Sequence, residues 1–274
     1  MEIRSPSGIT YEVGGELGSN KKFKYYSCSS GLNNVYMLKI ARKSAWNGLL
    51  DREAFLLQTM EKEAQELELE YAKTKKSDKK LNYHFFFPQL IETFISEEQS
   101  GSRITILNLA HVAKSIGDLS PVSHLLTKES VIVDPRTSAW ILGKLLTALS
   151  FTKGSNIFVK DLSGDNILIN RSQHYVTILD WTEAILSNAE IPKSMVSEMI
   201  SQAATEIFTV MGGDLKTKAL PKHQQLDGNL YESHLKNMMA GYFSDVSKAH
   251  KAFYDIVLSA WPREFYKFTT IITT

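Results

Sequence analysis

Asp161, Asn166 and Asp180, in the stretch "VKDLSGDNILINRSQHYVTILDWTEA", are spaced to bring three oxygen donors to one point. Residues 167–169 and 175–179 are apolar, β-branched runs, and the "NRSQH" between them is polar and turn-forming. An antiparallel hairpin sends the chain out and back, so Asn166, just before the outgoing strand, falls beside Asp180, just after the returning one. Asp161 sits on the loop a few residues upstream. Two carboxylates and an amide oxygen suit Mg²⁺, a hard cation that prefers oxygen ligands and often bridges to phosphate. Asp and Asn are also ordinary turn residues. Their common placement around one hairpin is what favours chemistry.

A second ionisable pair lies upstream. Leu49, Glu53, Leu56, Met60, Ala64, Leu67 and Tyr71 recur at three- and four-residue steps and define one helical face, with Glu53 pointing inward. A carboxylate on an apolar face is costly unless paired. Lys39 interrupts the apolar run "VYMLKIA" and alternates onto the side of Val35 and Met37, which makes it the expected partner. Independent snorkelling of both side chains, or a pairing with Glu61 or Glu63, is the alternative.

The elements that must position these residues fall into two halves. Residues 9–30 and 33–41 read as strands, followed by the Glu53 helix, whose end "YAKTKKSDKK" becomes a basic solvated run. "YHFFFPQLIETFI" and "SRITILNLA" read as further strands joined by the turn "SEEQSGS". A polar connector around residues 108–119 marks a lobe boundary and divides 1–107 from 108–274. Beyond it, Asp134 is an N-cap and Pro135 fits the first position of a buried helix running past Trp140 to Phe151, with Gly154 as its left-handed stop. "SEMISQAATEIFTVMGG" is a second buried helix. Strands with one helix, then helices carrying a hairpin, predict an α+β two-lobed fold.

"D-L-S-G-D-N-I-L-I…I-L-D-W" resembles the catalytic and metal-binding loops of protein-kinase-like phosphotransferases. The resemblance implies that Asp161 accepts the proton of the acceptor hydroxyl, that Asn166 and Asp180 hold Mg²⁺, and that Lys39, positioned by Glu53, contacts the phosphates of ATP. "E-A-F-L-L" at Glu53 is similar to the family's helix signature. The glycine loop is degenerate: Gly14, Gly15 and Gly18 are present without the full G-x-G-x-x-G, leaving Gly15 and Gly18 as the phosphate-covering positions and Lys21 and Lys22 as auxiliary contacts. Val159-Lys160-Asp161 stands where the family has H-R-D, and Ser163 replaces a common lysine. Trp181-Thr182 stands in place of Phe-Gly, and the segment from Asp180 to Met195 is short. Glu198 takes the place of the acid that usually begins the following helix.

The implied activity is ATP- and Mg²⁺-dependent transfer to a protein serine or threonine. The alternatives are a pseudokinase that binds nucleotide or a regulatory partner, and a small-molecule kinase of the aminoglycoside or choline type. The chain as a whole resembles divergent bacterial or phage-borne kinases more than eukaryotic signalling kinases.

Composition sets the remaining bounds. A net charge of +1 gives no electrostatic reason to expect nucleic acid or an anionic membrane surface. Cys28 is alone, which excludes an intrachain disulfide framework and a Cys-rich zinc site. "MEIRSPSGITYEVGG" lacks the apolar run of a signal peptide, so the expected location is the cytoplasm, of its own or a host cell.

Overall fold

A computed structural model describes residues 2–31, 33–74, 81–222, 230–262 and 264–273. Most of the basic run, residues 75–80, lies outside them. The chain divides into two compact units: residues 1–119 with 179–183, and residues 120–178 with 184–274.

The first unit is an antiparallel sheet with one long helix. Strands β1 (Glu2–Arg4), β2 (Thr10–Ser19), β3 (Phe23–Ser30) and β4 (Asn33–Ala41) precede helix α1 (Asn47–Thr74). β5 (Gln89–Ser96) and β6 (Ser102–Asn108) complete the sheet, in the order β1-β2-β3-β4-β6-β5. Period-two alternation sorts the side chains. Ile3, Tyr11, Cys28, Leu38, Phe94, Ile104 and Ile106 form one buried cluster, while Phe23 and Ala41 pack with Leu50 of α1. The expected face of α1 buries Glu53, Leu56, Met60 and Ala64, but Leu67 is exposed at 41%. Residues 83–86, expected as strand, form a short 3₁₀ turn, and the strand starts at Gln89. Pro88 accounts for the displaced start, since it cannot donate to a ladder and biases Phe87 toward extended backbone. Residues 108–119 fall in this unit and bury Leu109 and Val112.

The second unit is mostly helical. It contains β7 (Ser120–Pro121), α2 (His124–Thr127), β8 (Val131–Val133) and α3 (Pro135–Gly154), then β9 (Ile157–Phe158), β10 (Ile167–Asn170), β11 (Tyr175–Ile178) and β12 (Ile185–Leu186). α4 (Lys193–Val210), α5 (Leu230–Met239), α6 (Val246–Ala260) and β13 (Thr270–Ile272) follow. Asp134 caps α3 by accepting from Thr137 N at 2.8 Å, and Pro135 occupies the first turn. The left-handed residue at the far end is Asn156 (φ 55°), not Gly154, so the stop was placed two residues early. Asn tolerates this conformation because its short side chain bonds locally. α3 packs against α4 and α6, with Leu142, Leu145, Leu146 and Leu149 fully buried. Among the described residues no helix is long and apolar enough to cross a membrane.

Candidate functional site

Within the first unit, strand register places the chemistry. β3 and β4 pair Tyr25 with Lys39, so both side chains project from the same face, with Phe23 two residues along. Lys39 is fully buried, and so is Glu53 on α1. Lys39 Nζ donates to Glu53 Oε1 at 2.8 Å and Oε2 at 2.9 Å, and lies 3.0 Å from Asp180 Oδ1. The ring of Phe23 lies 4.7 Å beneath the ammonium. Glu53 Oε1 also accepts the Trp181 backbone amide at 2.8 Å, which ties α1 to the residue after Asp180. Trp181 is buried and meets Phe87 edge-on.

Asp180 is held from several sides. Its Oδ1 accepts Thr182 N at 2.9 Å and Thr182 Oγ1 at 2.5 Å, and its Oδ2 accepts the Tyr25 hydroxyl at 2.6 Å. Burial alone would raise its pKa, but the Lys39 charge and the Thr182 and Tyr25 hydrogen bonds prevail and hold it at about 2. Burial opposes the charge on Lys39, yet Asp180 and Glu53 outweigh burial and hold the lysine above its ordinary range. Burial pushes Glu53 up, against the pull of Lys39. With both carboxylates ionised, two anions share one cation, leaving a net negative charge in a desolvated setting. Nearby, Lys22 pairs with Glu183 and lies over the Trp46 ring, so it is already engaged within this unit.

Gly15 and Gly18 lie exposed on β2 at two irregularities in the β2–β3 register, and no protein atom stands within 4 Å of where a Cβ would be at either. The β2–β3 turn is closed instead by Asn20, whose Oδ1 accepts Lys22 N and Phe23 N at 2.8 Å each.

Within the second unit, β10 and β11 form the expected hairpin, pairing Ile167 with Ile178 and Asn170 with Tyr175. Asn166 is buried one residue before β10, and its Nδ2 donates to the Asp161 carbonyl at 2.8 Å. The Asp161 carboxylate accepts Ser163 N at 2.9 Å, closing an Asx turn. Helix α4 forms the floor of this loop. Val159 N reaches Met199 Sδ at 3.2 Å, Leu162 N reaches Gln202 Oε1 at 3.2 Å, and the Gly164 amide donates to Glu206. Burial first, and then the charges of Asp165 and Asp161, raise Glu206 despite that bond. A Cβ at Gly164 would stand 2.1 Å from Glu206 Oε1 and 3.0 Å from Ser123 N, so a side chain there would displace Glu206 and press on the Ser123 amide.

Sequence patterns singled out Lys39, Glu53, Asp161, Asn166 and Asp180 but missed Tyr25, Thr182, Gln202 and Glu206. Tyr25 pairs with Lys39 only in the observed β3–β4 register, which shifts between Cys28 and Ser30. Glu198 is not at a helix start, as α4 begins at Lys193, and its Oε1 accepts from Gln202. The missed signal was the step of four from Glu198 to Gln202 to Glu206, which turns Gln202 and Glu206 toward one side of α4.

This architecture defines the chain as having a protein-kinase-like fold, an α+β arrangement with a β-rich first unit and a mostly helical second unit. It is similar to a solved structure of vaccinia related kinase 3, with a TM-score of 0.64 at 12% identity, covering 94% of this chain and 90% of that one. The sequence matches no protein-family model and no curated protein.

Proposed function

We propose that the chain is an atypical phosphotransferase of the protein-kinase type, using ATP with Mg²⁺ and passing the γ-phosphate to a serine or threonine hydroxyl of a protein. The observation that carries this reading is the buried Lys39–Glu53–Asp180 cluster. Desolvating a lysine and two carboxylates is expensive, and strongly perturbed ionisable groups of this kind concentrate at functional sites. Lys39, held rigid by the two bonds it donates to Glu53, is the phosphate contact. Asp180 and Asn166 supply oxygen donors of the type Mg²⁺ prefers, and Asp180 is ionised at neutral pH. When bound, the metal would neutralise phosphate charge. Asp161, on a loop braced by α4, orients the acceptor hydroxyl and takes its proton. Gly15 and Gly18 leave backbone free for close approach of phosphate.

A second reading is a nucleotide- or partner-binding module without turnover. The Tyr25 and Lys22 contacts favour it, because they already occupy Asp180 and Glu183. Incubation with radiolabelled ATP, Mg²⁺ and a generic protein acceptor separates the two. Phosphoryl transfer that falls by about a thousandfold in Asp161→Asn supports the enzyme. Nucleotide binding with no Asp161-dependent product supports the module.

A further inference from the structure

The second unit contains a cavity of about 450 Å³ walled by α3, α6, residues 261–262 and residues 264–268, within the size range of small-molecule sites. Its wall is built from rings. His174 stacks on Phe265 with centroids 4.9 Å and planes 9° apart, Trp140 lies 4.7 Å from His174, and Phe268 meets Trp140 edge-on. Pro262 and Tyr266 are pinned in place rather than draped. Arg136 Nη2 donates to the Pro262 carbonyl at 2.9 Å, the Tyr266 hydroxyl donates to Asp134, and β13 pairs with β8.

The charges facing the cavity are unbalanced. Glu264 is the one carboxylate among the described lining residues, and it is exposed and lies 3.5 Å from Arg136. Lys144, on α3, is half-buried against the cavity and has no acid partner among the described residues. Burial holds it below the ordinary lysine range, and burial likewise lowers His174 and His250. A desolvated ammonium without a counter-ion is a cost to the fold that an anion would remove.

We propose that this cavity binds a small aromatic carboxylate, its flat body against the Trp140, His174 and Phe265 rings and its carboxylate on Lys144. One unpaired lysine neutralises one negative charge, which favours a monocarboxylate over a phosphate ester. The proposal shares no residue with the phosphotransferase reading and does not depend on it.

Trp140 and Trp261 line the cavity, so tryptophan fluorescence of the full chain reports occupancy. The probes are naphthoate, its neutral analogue naphthylmethanol, and the flexible carboxylate decanoate. Naphthoate should quench saturably at a single site with Kd below about 1 mM, and the other two should bind about tenfold more weakly. Lys144→Met, which keeps the apolar stem, should weaken naphthoate about tenfold without changing naphthylmethanol, and Lys144→Arg should restore naphthoate binding. A far-ultraviolet spectrum like that of the wild type confirms that each variant is folded. The proposal is overturned by non-saturable quenching, by equal affinity for naphthoate and its alcohol, or by decanoate binding as tightly as naphthoate. Unchanged naphthoate binding in a folded Lys144→Met protein also overturns it, and if that variant does not fold, failure of Lys144→Arg to bind does so.

Discussion

Asp180 is surrounded by hydrogen-bond donors. Tyr25 donates to its Oδ2 at 2.6 Å, and the same carboxylate holds Thr182 and Lys39. Tyr25→Phe removes that donor while keeping the ring beside Lys39. Hydrogen bonds to charged groups contribute about 1.5–3 kcal/mol, so urea denaturation should show a loss in that range. Asp180 also makes stability depend on acid. Its folded value of about 2 lies below the ordinary 3.8, so its contribution is fully present above 3.8 and disappears as pH falls from there toward 2. The depression corresponds to about 2 kcal/mol, which acid titration of stability should show in the wild type and not in Asp180→Asn. Lys39→Met should cost about 3–5 kcal/mol, because it leaves two buried carboxylates uncompensated, and Glu53→Ala should cost less, because Asp180 still faces Lys39. The double variant should cost far less than their sum, and additive losses would show that the pair is not coupled.

Helix α4 holds backbone amides of residues 159–164, which makes that loop a property of two elements. Gly164→Ala forces a methyl into Glu206 and the Ser123 amide, so it should destabilise the protein by about 1–3 kcal/mol. Trimming the obstacle with Glu206→Ala should recover part of that loss, and thermal melts of the two single variants and the double variant would measure the recovery. Such couplings are difficult to read from a chain. The hairpin and the Asp134 cap were legible because both signals are local: a turn between alternating runs, and a short polar residue before proline. The floor provided by α4 was not, because Gln202 and Glu206 sit forty or so residues from the amides they meet, and nothing local distinguishes them from solvent-facing residues. The 3₁₀ turn at residues 83–86 failed for another reason. Its aromatic run has strand propensity, and Pro88 overrides it.

Across the whole molecule, the sequence pattern was sufficient for the order of elements and insufficient for the wiring inside each unit. An open sheet followed by helices follows from the period of the hydrophobic pattern. The Lys39–Glu53 pairing was also legible, since an inward carboxylate and an inward lysine leave each other as partners. Tyr25 was not, because the register shift between Cys28 and Ser30, beside the β3–β4 turn, cannot be counted from residue types. The role proposed for the Lys39–Glu53–Asp180 cluster is to serve Mg²⁺-bound nucleotide. Isothermal titration of ATP into the full chain, with and without Mg²⁺, tests it in the wild type and in Asp180→Asn. Magnesium should tighten ATP binding about tenfold or more in the wild type and leave the folded Asp180→Asn protein unaffected. Equal magnesium enhancement in both proteins would rule that role out.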